Sequence, residues 1–206
     1  MTGERRSPLA GLDDGVALRE LPFLAQIGIR ARSPEGRAAA GSALGCPLPE
    51  APNTTSAASD EQSVLWLGPS EWLIVGPPDS EATLEATLGV ALAGGLGAVV
   101  DLSANRTTLE LRGPHVGDVL AKGCALDLHR RAFTPGRCAQ TMVARAAVIL
   151  EQRDDAPTYR LFVRGSFAGY LTDWLHDALE EFTAASPSRS SASRRHRSVR
   201  ATSLNV

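Results

Sequence analysis

Four histidines, three cysteines and one aspartate at the end of an apolar run are the residues of this chain with the most obvious capacity for chemistry. His115, His129, His176 and His196 never stand four apart, so no helix presents two of them to one metal ion. Cys46, Cys124 and Cys138 are odd in number and form no C-x-x-C pair. That argues against a zinc knuckle and a disulfide framework, and for buried free thiols in a reducing compartment. No G-x-S-x-G elbow exists, and Cys124 with His129 is the only Cys–His combination close in sequence. In Asp101-Leu102-Ser103 a carboxylate can act as a general base, or accept from the turn amides of Ser103 and Ala104, which is its commoner use. Gly94-Gly95-Leu96-Gly97 follows a helical segment and precedes a strand, the reverse of a dinucleotide-binding turn, and reads as a helix stop. His115 reads as a capping or surface residue, and Asp154-Asp155 as solvated turn charge. These residues assemble into no catalytic constellation: catalytic, cofactor and metal residues are expected to be absent from this chain.

The stretch LWLGPSEWLIVG, residues 65–76, poses a different question, because it holds two of the three tryptophans. A phosphate loop needs several glycines leading into a helix, and only Gly68 lies in this turn. Two short apolar runs around Gly68-Pro69-Ser70-Glu71 instead predict a β-hairpin. Alternation places Trp66 and Trp72 among Leu and Ile, more aromatic bulk than one sheet face easily buries. Both are therefore candidates for a partner interface, with the hydrophobic core as the competing destination.

The elements that would position these residues follow from periodicity and caps. A first strand is predicted over Phe23–Arg30. Ser33-Pro34-Glu35 opens a helix that stops at Gly45. The segment CPLPEAPNTTSAASDEQ reads as a long polar loop. After the hairpin, Asp79-Ser80-Glu81 starts a helix carrying Leu84, Leu88, Ala91 and Leu92 at helical spacing. Strands follow over 98–102 and 106–112, then a short helix over 115–123. Two further strands, Gln140–Glu151 and Thr158–Arg164, precede a helix capped by Ser166, whose stripe is Phe167, Leu171, Trp174, Leu175 and Leu179. The order β-α-β-β-α-β followed by β-α-β-β-α predicts an α+β fold of two ferredoxin-like halves, with helices packed on largely antiparallel sheets.

Composition bounds the rest. The chain has 206 residues and a formal net charge of −2, but five of its 21 Lys and Arg lie from Pro187 onward, where no acid occurs. An acidic body thus precedes a basic tail. Residues 1–20 read as a flexible arm, 21–183 as a single domain and 184–206 as a disordered Ser/Arg-rich tail. The tail lacks interleaved aromatics and a folded basic platform, so no nucleic-acid partner is expected. No apolar h-region opens the chain and no run suffices to cross a bilayer, so a soluble cytoplasmic protein is expected.

Three stretches, LWLGPSEWLIVGPP, AVVDLSANRTTLELRGPHVGDVLAKGCALDLHRRAFTPGRCAQTMVARAAVIL and YRLFVRGSFAGYLTDWLHDAL, together with PFLAQIGIRA and the PLPEAPNT loop, resemble the gamma subunit of heterotetrameric sarcosine oxidase. The likeness covers about residues 20–182. It implies a folate-binding fold like that of the glycine-cleavage aminomethyltransferase. It also implies alpha, beta and delta subunits as partners, with FAD, FMN, NAD, zinc and tetrahydrofolate held on those chains. Such complexes oxidise sarcosine to glycine with release of peroxide, and tetrahydrofolate captures the one-carbon unit. In the aminomethyltransferases a carboxylate follows a Pro-Gly turn. Here that turn is Thr134-Pro135-Gly136-Arg137, and Thr141–Leu150 beyond it contains no acid. The resemblance thus implies a scaffold subunit that has kept the shape and lost the reactive group. A stand-alone folate-dependent transferase or repair protein is the alternative.

Overall fold

The computed structural model describes residues 18–183; the arm before Leu18 and the basic tail lie outside them. Ten strands form two five-stranded sheets, and every strand pair is antiparallel.

The first sheet has β2 (Ala25–Arg30), β3 (Thr55–Ser59), β4 (Gln62–Gly68), β5 (Glu71–Gly76) and β6 (Ala98–Asp101), in the order β3-β4-β5-β2-β6. Helices α1 (Pro34–Leu44) and α2 (Glu81–Ala91) cover one face of it. The second sheet has β1 (Leu18–Leu21), β7 (Arg106–Arg112), β8 (Arg137–Val143), β9 (Ala146–Asp154) and β10 (Thr158–Arg164), in the order β1-β7-β10-β9-β8. Helices α3 (Val116–Ala121) and α4 (Gly165–Thr183) cover its outer face. Between the sheets, Leu65, Leu73 and Val75 meet Cys138, Ile149 and Phe162, giving a helix–sheet–sheet–helix stack with three apolar seams. The sheets are also stitched at one side. Thr54 bridges Arg137, with Thr55 N donating to Gly136 O at 2.8 Å and Cys138 N to Asn53 O at 3.0 Å.

Local chemistry explains several elements. Ser33 Oγ accepts from Gly36 N at 3.1 Å, Pro34 needs no amide partner in the first turn, and Gly45 closes α1 at φ 74°, where a side chain would be strained. On β5, Trp72 and Ile74 face the helices while Leu73 and Val75 face the other sheet, so the strand reads as a continuous apolar run. On α4 the buried stripe is Ala168, Leu171, Leu175 and Leu179, with Trp174 partly buried beside it.

Four expectations need correction. The polar loop 46–62 contains β3, an exposed edge strand whose TSAAS sequence has no apolar alternation to announce it. Residues 18–20, assigned to the arm, belong to β1, which pairs with β7 and buries Leu18. The single strand expected over Gln140–Glu151 is a hairpin. It turns at Ala144, held at φ 51°, in a sequence without Gly, Pro, Asn or Asp to mark the turn. Phe167, expected on the buried stripe of α4, is exposed because Ala168 takes the inward position.

Candidate functional site

The strand-end aspartate forms a turn. Asp101 Oδ1 accepts from Ser103 N at 2.9 Å and from Ser103 Oγ at 2.6 Å, while Ser103 Oγ in turn accepts from Gln26 N at 2.9 Å. The carboxylate therefore locks the β6–β7 turn against β2. Gly94 and Gly95 lie in the short 3-10 turn Ala93–Gly95 between α2 and β6, which is the helix stop their order indicates. His115 is exposed, 3.3 Å from Asp118 Oδ2, and stacks on Phe182 with ring centroids 4.8 Å apart. Asp154 does more than carry charge: Oδ1 accepts from Ala156 N and Thr158 N, shaping the β9–β10 turn.

Cys124 and His129, close in sequence, have different partners. Cys124 Sγ faces Thr141 Oγ1 at 3.8 Å, whereas His129 Nδ1 accepts from Arg131 N at 3.2 Å. All three thiols are free and buried. Cys138 donates toward Thr54 O and Trp66 O at 3.4 and 3.5 Å, and burial first, then the charge of Glu151, pushes its pKa up to about 12. A thiol held that firmly in its neutral form is no nucleophile at physiological pH. Among the described residues no group of three His, Cys, Asp or Glu is arranged to hold a metal ion.

Trp66 and Trp72 stand directly opposite each other across β4 and β5, so their indoles share the helix-facing side of the sheet. Trp72 is 2 % exposed and donates its indole N–H to Pro49 O at 2.8 Å. It anchors the 47–50 segment over the core and presents almost no surface in the folded chain. Trp66 is only partly buried against the same cluster.

Two buried carboxylates were not singled out from the sequence. Glu110 on β7 accepts from Arg19 Nε at 2.9 Å and Arg160 Nε at 3.3 Å, with Arg112 Nη2 at 3.7 Å. Glu151 on β9, 1 % exposed, is paired with Arg153 Nη1 at 3.0 Å; its other oxygen has no hydrogen-bond partner. Glu151 stands one residue beyond the acid-free stretch 141–150, in register with Cys138. The available signal was charge recurring inside otherwise apolar strands, as in Arg160-Leu161-Phe162-Val163-Arg164, where two arginines four residues apart share a face. β8, the strand that follows Pro135-Gly136, contains no acid at all. Of the two buried carboxylates of this sheet, Glu110 is surrounded by three arginines and Glu151 is paired with arginine through one oxygen only.

Among the described residues every strand pair is antiparallel, so they contain no parallel β-α-β unit of the kind on which dinucleotides are bound. The architecture is a doubled α+β domain, the class also seen in a glycine cleavage system aminomethyltransferase T from Bartonella henselae. The two superpose with a TM-score of 0.58 at 14 % identity, over 77 % of this chain and 44 % of the other, a likeness of fold alone. A family model described as "Sarcosine oxidase, gamma subunit family" matches residues 29–181, and the chain belongs to that family.

Its similarity to individual members is extensive. The sarcosine oxidase subunit gamma of an Arthrobacter species is 41 % identical, over 89 % of this chain and 94 % of its own. That of Corynebacterium sp. (strain U-96) is 39 % identical over 88 % and 93 %. A chain of the heterotetrameric sarcosine oxidase from Corynebacterium sp. U-96, solved with pyrrole 2-carboxylate, superposes with a TM-score of 0.80 at 38 % identity. That match covers 89 % of this chain and 99 % of the other.

Proposed function

We propose that this chain is the non-catalytic gamma subunit of a heterotetrameric sarcosine oxidase. The complex demethylates sarcosine oxidatively to glycine, releases peroxide and, with tetrahydrofolate, forms 5,10-methylenetetrahydrofolate. Alpha, beta and delta subunits are its partners in the cytoplasm. FAD, FMN, NAD, zinc and tetrahydrofolate reside on them. The role of this chain is contact.

One observation carries the reading: the doubled α+β fold shared with an aminomethyltransferase is retained, yet β8 is acid-free and both buried carboxylates of the second sheet are paired with arginine. A shape preserved without its chemistry fits selection for surface and assembly. Partly buried Trp66 remains a candidate anchor for a neighbouring subunit, whereas Trp72 serves the interior.

The test is purification of the native complex through a tag on this chain, with sarcosine-dependent peroxide measured on the eluate. A yellow eluate with turnover, beside a colourless isolated chain that binds no tetrahydrofolate, is expected. An isolated chain that binds folate and transfers a one-carbon unit by itself would overturn the proposal in favour of an autonomous transferase.

A further inference from the structure

The end of the second sheet where β7 begins and β10 finishes holds two arginines in an arrangement the isolated chain does not complete. Arg106 and Arg164 are directly opposite in the β7–β10 register, so two guanidiniums stand side by side on one face. Neither has a carboxylate within ion-pairing reach among the described residues, in contrast to Arg19, Arg153 and Arg160 on the same sheet. Arg106 is half-buried, and its Nη1 is fully enclosed without a hydrogen-bond partner. Loss of solvent, then repulsion by Arg164, lowers its pKa.

Both side chains line a groove of about 790 Å³ floored by Ile149 and Phe162, with Gln140 and Met142 on the β8 side. No acid lines it. Arg164 is exposed, so the enclosed Arg106 Nη1 beside it leaves a like-charged pair open to an anion from outside. Exposed apolar side chains occur at the groove's rim and, separately, on the helix that follows Arg164. Met142 is 47 % exposed, and Phe167 and Tyr170, on the first turns of α4 just after Arg164, are 43 % and 41 % exposed. Arg, Met, Tyr and Phe are the residue types enriched where proteins dock.

We infer that this groove receives an acidic segment of another subunit of the complex, with its Asp or Glu carboxylate seated between Arg106 and Arg164 and its flanking apolar residues on Met142 and the groove floor. The inference rests on the subunit reading above and names the surface through which it is realised. A protein carboxylate is favoured over a free one because Met142 and the apolar floor extend the contact beyond the volume a small anion fills. A polyanion is disfavoured because the body of the chain before Pro187 carries 16 basic against 23 acidic residues.

The experiment compares wild type, Arg106→Gln, Arg164→Gln and the double variant, each as the full chain. Thermal melting of the isolated chain and its affinity for the remaining subunits are measured across a range of salt. The substitutions are expected to leave melting unchanged or raise it, since they relieve repulsion. They should weaken association about tenfold or more and flatten its salt dependence. Arg106→Lys, which keeps the charge, should retain most of the affinity. Assembly of the double variant with wild-type affinity and salt dependence would overturn the inference. So would saturable binding of succinate at the groove by a chain whose variants still assemble normally, which would mark a small-anion site. A wild-type chain that fails to associate with flavin-bearing subunits would instead overturn the subunit reading, a separate result.

Discussion

In the first sheet β2 lies between β5 and β6, and in the second β7 lies between β10 and β1, so the same strand order is built twice, with the second sheet's edge supplied from the N-terminal side. The inner faces of these sheets differ. The first offers Leu65, Leu67, Leu73 and Val75, closed by aliphatic contact. The second alternates Phe162 and Ile149 with Arg160, Glu110, Glu151, Arg106 and Arg164. Helix cover differs too: α2 buries only Leu88 fully and leaves Val90 in solvent, whereas α4 buries a full stripe. The first half is therefore a thin structural layer pinned by Trp72, and the second is a thicker core that also carries organised charge. One strand order occurs twice, and the second sheet is where paired and buried charge is concentrated.

The contrast can be broken at its strongest points. Trp72→Ala removes a buried indole and its bond to Pro49, and Glu110→Ala leaves three arginines facing an empty position. Each is expected to cost about 3–5 kcal/mol in denaturant unfolding. Because Leu73 and Ile149 share the seam between sheets, both variants should shift one common transition. Two separate transitions would show the halves to be independent.

Cys138 tests the seam directly. Its folded-state pKa is raised to about 12 from the ordinary thiol value of 9.0, so the stability linked to its neutral thiol is fully present below pH 9 and is lost as pH rises toward 12. A Cys138→Ser variant should lose that alkaline slope. At pH 8 the thiol of the native chain should resist alkylation and react only after unfolding. Rapid native labelling of Cys138 would mean that the sheets part readily.

Smaller effects sharpen the picture. Trp66→Ala, at a half-buried site, should cost about 1–2 kcal/mol in the isolated chain. A further loss in assembly affinity would mark it as a contact residue. Ala144→Gly should stabilise by about 0.5–1 kcal/mol, since relief of the left-handed φ exceeds the added chain entropy. Destabilisation would place the strain elsewhere in the β8–β9 hairpin.

Where local chemistry was sufficient, the elements were legible before any coordinates. Ser33-Pro34 and Gly45 announced both ends of α1, and alternation in RTTLELR delimited β7. The hairpin of the two tryptophans was readable from its turn residues, but which of them is buried was not, because that depends on Pro49, 23 positions away from Trp72. β3 and the β8–β9 turn escaped notice because exposed edges and alanine turns carry no periodic signal. The empty acid position after Pro135-Gly136 was visible in the sequence; the engaged state of Glu151 was not.

Residue order alone determined the types of the main elements and their doubled arrangement, since caps, turns and periodicity act within a few positions. Tertiary structure decided that a strand from the N-terminal side completes the second sheet, that Glu110 is neutralised by Arg19 from 91 positions away, and that Arg106 and Arg164 are left facing one another. Pairing across sheets joins residues by proximity in space, and no local pattern encodes which distant side chain will arrive.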